Sequence, residues 1–124
     1  MKRNLPVILS FLISLLCAGC TSGPGYTSIS QDEAVQMMKD DNAVILDVRT
    51  IDEYNELHIK GAICIPVDTI DESISSFLPD TGQVILVYCR SGNRSRQASE
   101  KLAALGYTNV YEFGGINTWK GETE

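Results

Sequence analysis

Apolar residues occur in short, nearly continuous runs through the chain after residue 26, and polar segments separate these runs. Three runs, which are rich in β-branched residues, are 43–48, 62–65 and 84–88, and a last strand is predicted over 109–113, where apolar and polar residues are mixed. Apolar runs of this length without polar alternation are typical of strands that are buried on both faces. Pro66 ends the second run, and we expect Gly114 and Gly115 to end the last strand. The pattern therefore predicts four strands.

Helical segments lie between the strands. Two of them begin with a capping box, S-x-x-E over 30–33 and T-x-x-E over 50–53, in which two side chains satisfy free backbone amides. Apolar residues at helical spacing predict further helices over 69–77 and from about Ser95 to 105, and Gly106 is placed to end the second. Strands that alternate with helices predict the α/β class, with a small parallel β-sheet flanked by helices on both faces.

The first 26 residues differ from the rest of the chain. A basic start, an uncharged apolar run over 5–18 and then small residues follow the order of a secretory signal peptide. The apolar run has 14 residues, whereas a membrane-spanning helix needs about 20. We predict a signal peptide over 1–19, a short Gly/Ser/Pro-rich tether over 20–26 and a globular domain over 27–122.

The end of the apolar run, Ala18-Gly19-Cys20, resembles a bacterial lipoprotein signal, in which the cysteine after the cleavage point receives lipid. The resemblance implies export to the cell envelope and a membrane contact only through a lipid anchor on Cys20. Cys17 departs from that family, which usually has an aliphatic residue there. Ordinary cleavage near 20–23 would instead give a periplasmic or secreted domain. The C-x-x-C spacing of Cys17 and Cys20 has no second Cys or His pair to complete a metal site.

Composition and charge restrict the classes of function. Apolar residues make up 44% and charged residues 21%, an ordinary globular balance, and 16 acidic residues face 10 basic ones. Cleavage before Cys20 would leave eight basic residues and a net charge of −8. An acidic chain without a long basic run is a poor nucleic-acid binder. Four cysteines and one histidine also give little support for a disulfide scaffold or a metal site, so we predict neither metal nor cofactor.

Cys89 is the candidate for chemistry because it ends the strand that we expect at the centre of the sheet, where ligands of such sheets bind. The turn after it leads into a helix, and a helix N-terminus and nearby cations lower the pKa of a thiol. Gly92 and Asn93 tolerate positive φ, which lets a turn direct its amides towards an anion. With no histidine nearby to act as a base, the loop and the helix dipole would have to activate the thiol.

The charge pattern around this turn agrees with an anion site. No acidic residue occurs over 81–99, whereas Arg90, Arg94 and Arg96 all lie within that window. Three cations in seven residues focus a positive potential on a chain that is acidic elsewhere. The segment lacks G-x-x-x-x-G-K-[ST], so it is not a nucleotide phosphate loop.

Four segments in this order resemble a single-domain rhodanese, a sulfurtransferase, from about Tyr26 to Lys120. They are Leu46-Asp47-Val48-Arg49 with Glu53-Tyr54, His58-Ile59-x-Gly61-Ala62-Ile63-x-Ile65-Pro66, Tyr88 through Ser95, and Gly114-Gly115-Ile116 with Trp119. The resemblance implies a rhodanese-like fold. It also implies that Cys89 takes a sulfur atom from a small anionic donor such as thiosulfate and passes it, as a persulfide, to a thiol, a protein or cyanide.

The resemblance also assigns roles to the residues around Cys89. The backbone amides of the anion-binding loop would stabilise the transferred sulfur; its residues are Arg90, Ser91, Gly92, Asn93, Arg94 and Ser95. We expect Arg94 to brace the loop and Arg90 to meet the donor. Structural support falls to Asp47, Arg49, Glu53 and His58, with Asp47 capping backbone, Arg49 pairing with Glu53, and Trp119 in the core. We expect the chain to act as a monomer.

Two other functions stay open at this point. A cysteine-based phosphatase or arsenate reductase on the same fold would also use a cysteine and an arginine on a loop, but those relatives have five intervening residues and this chain has four between Cys89 and Arg94. A non-catalytic sulfur carrier would share the persulfide. Cys64 stands where the family often has a polar residue, and it is either a plain strand cysteine or a second thiol that reacts with Cys89.

Overall fold

A computed structural model describes residues 25–124, and their centre is a five-stranded sheet in which all pairings are parallel. Its strands are β1 (Thr27–Ser28), β2 (Val44–Asp47), β3 (Ile63–Cys64), β4 (Val84–Cys89) and β5 (Asn109–Gly115). The strand order is β1-β5-β4-β2-β3, so β4 lies in the middle with two strands on either side. The α/β class and the central position of the strand that ends at Cys89 are confirmed.

Three α-helices connect the strands: α1 (Gln31–Met38), α2 (Ile51–Glu56) and α3 (Asn93–Ala104). Both predicted capping boxes form, with Ser30 capping α1 and Thr50 capping α2. The third helix begins at Asn93, two residues before the predicted start, because Gly92 serves as its N-cap with a φ of +107°. The chain leaves α3 at Gly106, whose φ of +101° is the left-handed conformation that glycine accepts readily.

Side chains of β4 alternate between two apolar clusters, one on each face of the sheet. Ile85, Val87 and Cys89 join the larger cluster, which α3 covers, while Leu86 and Tyr88 join the smaller one on the other face. The larger cluster also includes Ala98 and Leu102 of α3. The alternation places Cys89 under the N-terminus of α3, and helices cover both faces as the apolar runs predict.

Two local predictions are wrong, and one short strand was not predicted. Residues 69–77 do not form one helix but two short 3-10 helices, Val67–Thr69 and Glu72–Ser76. Asp71 interrupts them because its side chain accepts hydrogen bonds from the backbone and side chain of Ser73, which competes with a continuous helix.

The predicted end of the last strand is also wrong. Gly114 and Gly115 do not end β5 but extend it, and Gly115 pairs with Cys89 after a shift of register between Val87 and Cys89. The short strand β1 was not predicted, and it pairs with Tyr111 and Glu112 of β5. Two exposed polar residues carry no apolar pattern that would reveal a strand.

The predicted signal peptide, Cys17 and the lipidation site at Cys20 lie outside the described residues. Within 25–124, none of the helices has the length and apolar character needed to cross a membrane. The domain boundaries at 19, 26 and 122 stay predictions.

Candidate active site

Cys89 ends β4 and is almost completely buried, with 1% of its surface exposed. The chain turns over 90–92 and enters α3 directly, so the first amides of the helix face the sulfur. The Gly92 amide donates a hydrogen bond to Cys89 Sγ over 3.0 Å. The left-handed φ of Gly92 makes this turn possible, and a larger residue there would be strained.

The surroundings of Cys89 favour the thiolate. Burial alone raises the pKa of the Cys89 thiol, but the contact with the Ser95 hydroxyl and the hydrogen bonds from the amides of Ser95, Gly92 and Ser91 outweigh it. The pKa of Cys89 therefore lies below its ordinary value. Hydrogen bonds to a charged form stabilise that form. The loop amides therefore favour the Cys89 thiolate, a role for which the sequence has no histidine near Cys89.

Ser95 links Cys89 to a buried carboxylate that the sequence analysis did not single out. Its hydroxyl oxygen lies 3.5 Å from Cys89 Sγ and 2.7 Å from Glu112 Oε2. Glu112 Oε2 also accepts a hydrogen bond from the Gly114 amide over 2.7 Å. A signal was present, because Glu112 stands two residues after Val110 on the face of β5 that α3 covers. A carboxylate in that position is expected to have partners.

The turn itself is held against β5 and the segment that follows it. The Arg90 carbonyl accepts a hydrogen bond from the Asn117 amide over 3.1 Å. A side chain on Gly115 would overlap the Arg90 carbonyl, so this glycine permits the close approach. The side chains of Arg90, Ser91 and Asn93 are exposed around the turn, and these three residues are within reach of a ligand from solvent.

Arg94 reaches away from the turn to helix α2. Its guanidinium forms a bidentate pair with Glu53, with distances of 2.7 and 3.1 Å. The Arg94 partner lowers the pKa of Glu53 to about 2. The predicted pairing of Arg49 with Glu53 is therefore wrong, because the fold brings Arg94 to Glu53 from a distant part of the sequence.

Arg49 instead belongs to a buried network behind the turn. Its side chain donates to both oxygens of Asp47, at 2.6 Å for the shortest contact, and to the Leu57 carbonyl. Asp47 also caps the Arg49 amide, as predicted, and accepts a hydrogen bond from the Tyr88 hydroxyl over 2.7 Å. Tyr88 in turn accepts from the Ile59 amide. This network fixes the strand that carries Cys89 without touching the sulfur.

His58 packs against the ring of Tyr54, with ring centroids 3.7 Å apart, and its Nδ1 lies 2.9 Å from the Tyr54 carbonyl. Its position agrees with a structural role away from Cys89. Trp119 is half-buried beside Phe113, with ring centroids 5.8 Å apart. It belongs to the smaller apolar cluster, on the face of the sheet opposite Cys89.

Cys64 lies too far from Cys89 for a disulfide. Cys64 is in register with Asp47, and Asp47 with Tyr88, so two strand spacings separate β3 from β4. That separation is roughly 10 Å, whereas a disulfide needs Cα atoms closer than about 7 Å. Burial, reinforced by the Asp47 carboxylate, raises the pKa of the Cys64 thiol to about 11. The hypothesis of a second thiol that reacts with Cys89 is not supported.

The site is suited to a nucleophilic thiolate beside a small anion. Its donors are backbone amides and exposed arginine, and residues 25–124 contain no cluster of three or more His, Cys, Asp or Glu side chains that could hold a metal ion. Amides that converge on one sulfur stabilise a negative charge there, both on a thiolate and on a sulfur atom attached to it.

Fold and site together define a rhodanese-like protein. The family model described as "Rhodanese-like domain" matches residues 30–122, and the chain belongs to this family. It is 41% identical over 71 residues to the thiosulfate sulfurtransferase PspE of Escherichia coli, covering 57% of this chain and 68% of that protein. It is 36% identical over 96 residues to the thiosulfate sulfurtransferase GlpE of Coxiella burnetii, covering 77% and 88%.

A solved structure gives the same result. A structure described as a rhodanese with anions from E. coli superposes with a TM-score of 0.62 at 35% identity, covering 66% of this chain and 96% of that one. The chain is thus a single rhodanese-like domain with homologues that are thiosulfate sulfurtransferases.

Proposed function

We propose that this protein transfers sulfane sulfur from thiosulfate or a similar anionic donor to a thiol or cyanide, with Cys89 as the carrier. The Cys89 thiolate attacks the outer sulfur of thiosulfate, a new S–S bond forms, and the old S–S bond breaks so that sulfite leaves with its electron pair. The product is a Cys89 persulfide anion. An acceptor thiolate or cyanide then attacks the outer sulfur, and Cys89 leaves as a thiolate. Charge and atoms balance in both steps.

The observation that carries this proposal is the Gly92 amide on Cys89 Sγ at the N-terminus of α3. The same convergent amides that stabilise the thiolate would stabilise the outer sulfur of the persulfide. Arg90 is exposed beside the turn and would bind the anionic donor, while Arg94 braces the turn through Glu53.

The geometry favours sulfur transfer over the alternative phosphatase or arsenate reductase. The first helical residue, Asn93, comes only four residues after Cys89, so the turn is short. A tetrahedral phosphate or arsenate is larger than one sulfur atom and would need a wider loop. A carrier that delivers sulfur to one protein partner would share the Cys89 persulfide and differs only in its acceptor.

Intact mass spectrometry after incubation with thiosulfate tests the proposal. The purified protein should gain the mass of one sulfur atom, and cyanide should remove it. Cys89→Ser should gain nothing, and Cys64→Ser should gain sulfur as the wild type does. A folded, reduced protein that takes no sulfur from thiosulfate but hydrolyses a phosphate ester or reduces arsenate would overturn the assignment.

We further propose that the domain is exported and anchored to a membrane through lipid on Cys20, on the support of the sequence pattern over 1–20. An exported location is oxidising, so a reducing partner would be needed to keep Cys89 active. Metabolic labelling with a fatty-acid analogue should mark the wild type and not Cys20→Ser. Label retained in Cys20→Ser, or none in either protein, would contradict the anchor.

A further inference from the structure

Glu112 is a buried carboxylate that makes only acceptor contacts. It is 5% exposed on β5, and Oε2 accepts from Ser95 Oγ and the Gly114 amide, both over 2.7 Å. Ser28 Oγ donates to Oε1 over 3.3 Å. Three donors therefore converge on this carboxyl group, which lies beneath the N-terminus of α3.

The Ser95 hydroxyl stands between this carboxylate and the sulfur of Cys89. A serine hydroxyl has one hydrogen to donate. The Ser95 hydroxyl oxygen lies only 2.7 Å from Glu112 Oε2, whereas it lies 3.5 Å from Cys89 Sγ. A Cys89 thiol can donate to the Ser95 oxygen. A Cys89 thiolate must compete for the single hydrogen with Glu112 Oε2 at 2.7 Å and with the Gly92 carbonyl at 2.9 Å, and Glu112 is the nearer of these two acceptors.

We propose that Glu112 is a positioning residue for Cys89, whose carboxylate holds the Ser95 hydroxyl hydrogen and so restrains ionisation of the sulfur. The restraint has two causes, since Glu112 competes for a hydrogen bond that would stabilise the thiolate and also places a like charge within about 6 Å of it. The proposal deepens the sulfur-transfer function and rests on it only for its effect on turnover.

Other charged groups near Cys89 cannot produce the same effect. Arg94 of α3 lies close enough to interact with the Cys89 thiolate, and it is paired with Glu53 of α2. Three further arginines lie nearby: Arg96 approaches Gly92 from α3, Arg90 belongs to the turn, and Arg49 lies behind β4 with Asp47.

The charges of these groups do not change over the pH range of the experiment. Arginine side chains stay protonated, and Arg94 keeps Glu53 ionised above pH 4.

Glu112→Gln separates the charge from the structural role. The Gln amide oxygen can accept from Ser95 and Gly114 as Oε2 does, and its amide nitrogen can donate to Ser28 Oγ. The substitution therefore keeps the shape and removes the negative charge. A neutral amide oxygen is also a weaker acceptor than a carboxylate, so it holds the Ser95 hydrogen less strongly. A Glu112 that only supports the fold would be replaced by Gln with little change at Cys89.

The experiment measures the rate of iodoacetamide reaction at Cys89 against pH, on the full chain in detergent, with the Cys89 peptide quantified by mass spectrometry. We expect Glu112→Gln to lower the midpoint of this profile by about one pH unit, which gives about tenfold more thiolate below both midpoints. In a Ser95→Ala background the same substitution should lower the midpoint by less than half as much. Glu100→Gln, on an exposed position of α3, is the charge control and should leave the midpoint unchanged.

An unchanged midpoint in Glu112→Gln would mean that Glu112 has only a structural role. A raised midpoint would mean that the carboxylate promotes ionisation of Cys89. Either result overturns the proposal. If circular dichroism shows that Glu112→Gln does not fold, Glu112→Met is the second variant. It removes the charge with a side chain of similar length and should give the same downward shift of the midpoint. Alkylation does not require sulfur transfer, so a protein that shows the shift but takes no sulfur from thiosulfate would refute the proposed function and not this inference.

Discussion

Cys89 and Cys64 lie on one sheet, but opposite kinds of polar group surround their sulfur atoms. Cys89 receives the Gly92 amide and lies at the start of α3, so the pKa of its thiol is lowered despite burial. Cys64 points its thiol at the carbonyls of Arg49 and Thr50, which favour a proton on sulfur. Donors stabilise a thiolate and acceptors stabilise a thiol. Strand position alone does not distinguish the two residues.

This contrast predicts selective labelling. When iodoacetamide reaction is followed at both cysteines against pH, the Cys89 profile should rise below the ordinary midpoint of a thiol, near pH ~8.5. The Cys64 profile should rise only as the pH approaches about 11. Peptide mass spectrometry separates the two sites, and unfolding in urea, which should bring both midpoints together, is the control. A Cys64 that reacts at neutral pH would contradict this description of its environment.

Gly115 allows the turn after Cys89 to pack closely against β5. A Cβ there would overlap the Arg90 carbonyl, which is backbone and cannot move aside without shifting the turn. We expect Gly115→Ala to destabilise the fold by about 1–3 kcal/mol, as overpacking typically does, and to reduce sulfur loading at least tenfold. Denaturant unfolding and the mass assay measure the two effects. Gly106→Ala is the control, because open space surrounds Gly106 and a loss there comes only from its φ of +101°.

Helices α2 and α3 are joined across the site by the Glu53–Arg94 pair. Glu53 also serves in the capping box of α2, where its side chain accepts from the Thr50 amide. Gln is accepted at that position of a capping box, so Glu53→Gln keeps the cap and removes the ion pair. The substitution therefore isolates what the pair contributes to stability and to the position of the turn.

Glu53→Gln should destabilise the protein by about 1 kcal/mol at pH 7, the upper range for such pairs. The folded pKa of Glu53 is lowered to about 2, whereas the unfolded value is near ~4.3. The stabilisation is therefore present above pH ~4.3 and is lost as the pH falls towards 2. Unfolding measured from pH 7 to pH 2 should show the wild type and the variant converging, and Glu56→Gln on the same helix should show no such convergence. A difference that persists at pH 2 would contradict the ion-pair explanation.

At the scale of the whole molecule, both apolar clusters share the central strand. Ile85 and Val87 belong to one cluster and Leu86 and Tyr88 to the other. Neither cluster can lose its packing without exposing the strand that carries Cys89. The two faces of the sheet are therefore expected to unfold together.

Calorimetry checks this expectation. The domain should unfold in a single transition with a calorimetric enthalpy of roughly 60–80 kcal/mol, the usual value for about 100 residues. The calorimetric and van't Hoff enthalpies should agree. Tyr88→Phe, which removes the hydroxyl that bonds Asp47, should lower the midpoint temperature and leave the transition single. Two resolved transitions would show that the faces are independent.

Local patterns were enough for much of this protein. The apolar segments predicted β2 to β5, the capping boxes predicted the starts of α1 and α2, and the segment from Cys89 to Ser95 predicted a cysteine at a helix N-terminus. These features depend on residues close together in the chain, whose spacing alone determines which hydrogen bonds and which buried face they can form. At Asp71 and at Gly114-Gly115 two local tendencies compete, and the predictions from the sequence are wrong there.

The tertiary structure alone decided which distant residues meet. It brings Arg94 to Glu53 rather than leaving Glu53 with Arg49, places Glu112 behind Ser95, and separates Cys64 from Cys89 by two strands. These outcomes follow from strand order and register, because a shift of one residue turns every side chain to the other face. The sequence by itself determined the position of Cys89 at a strand end and the turn that follows it, whereas the folded sheet determined the charges that surround them.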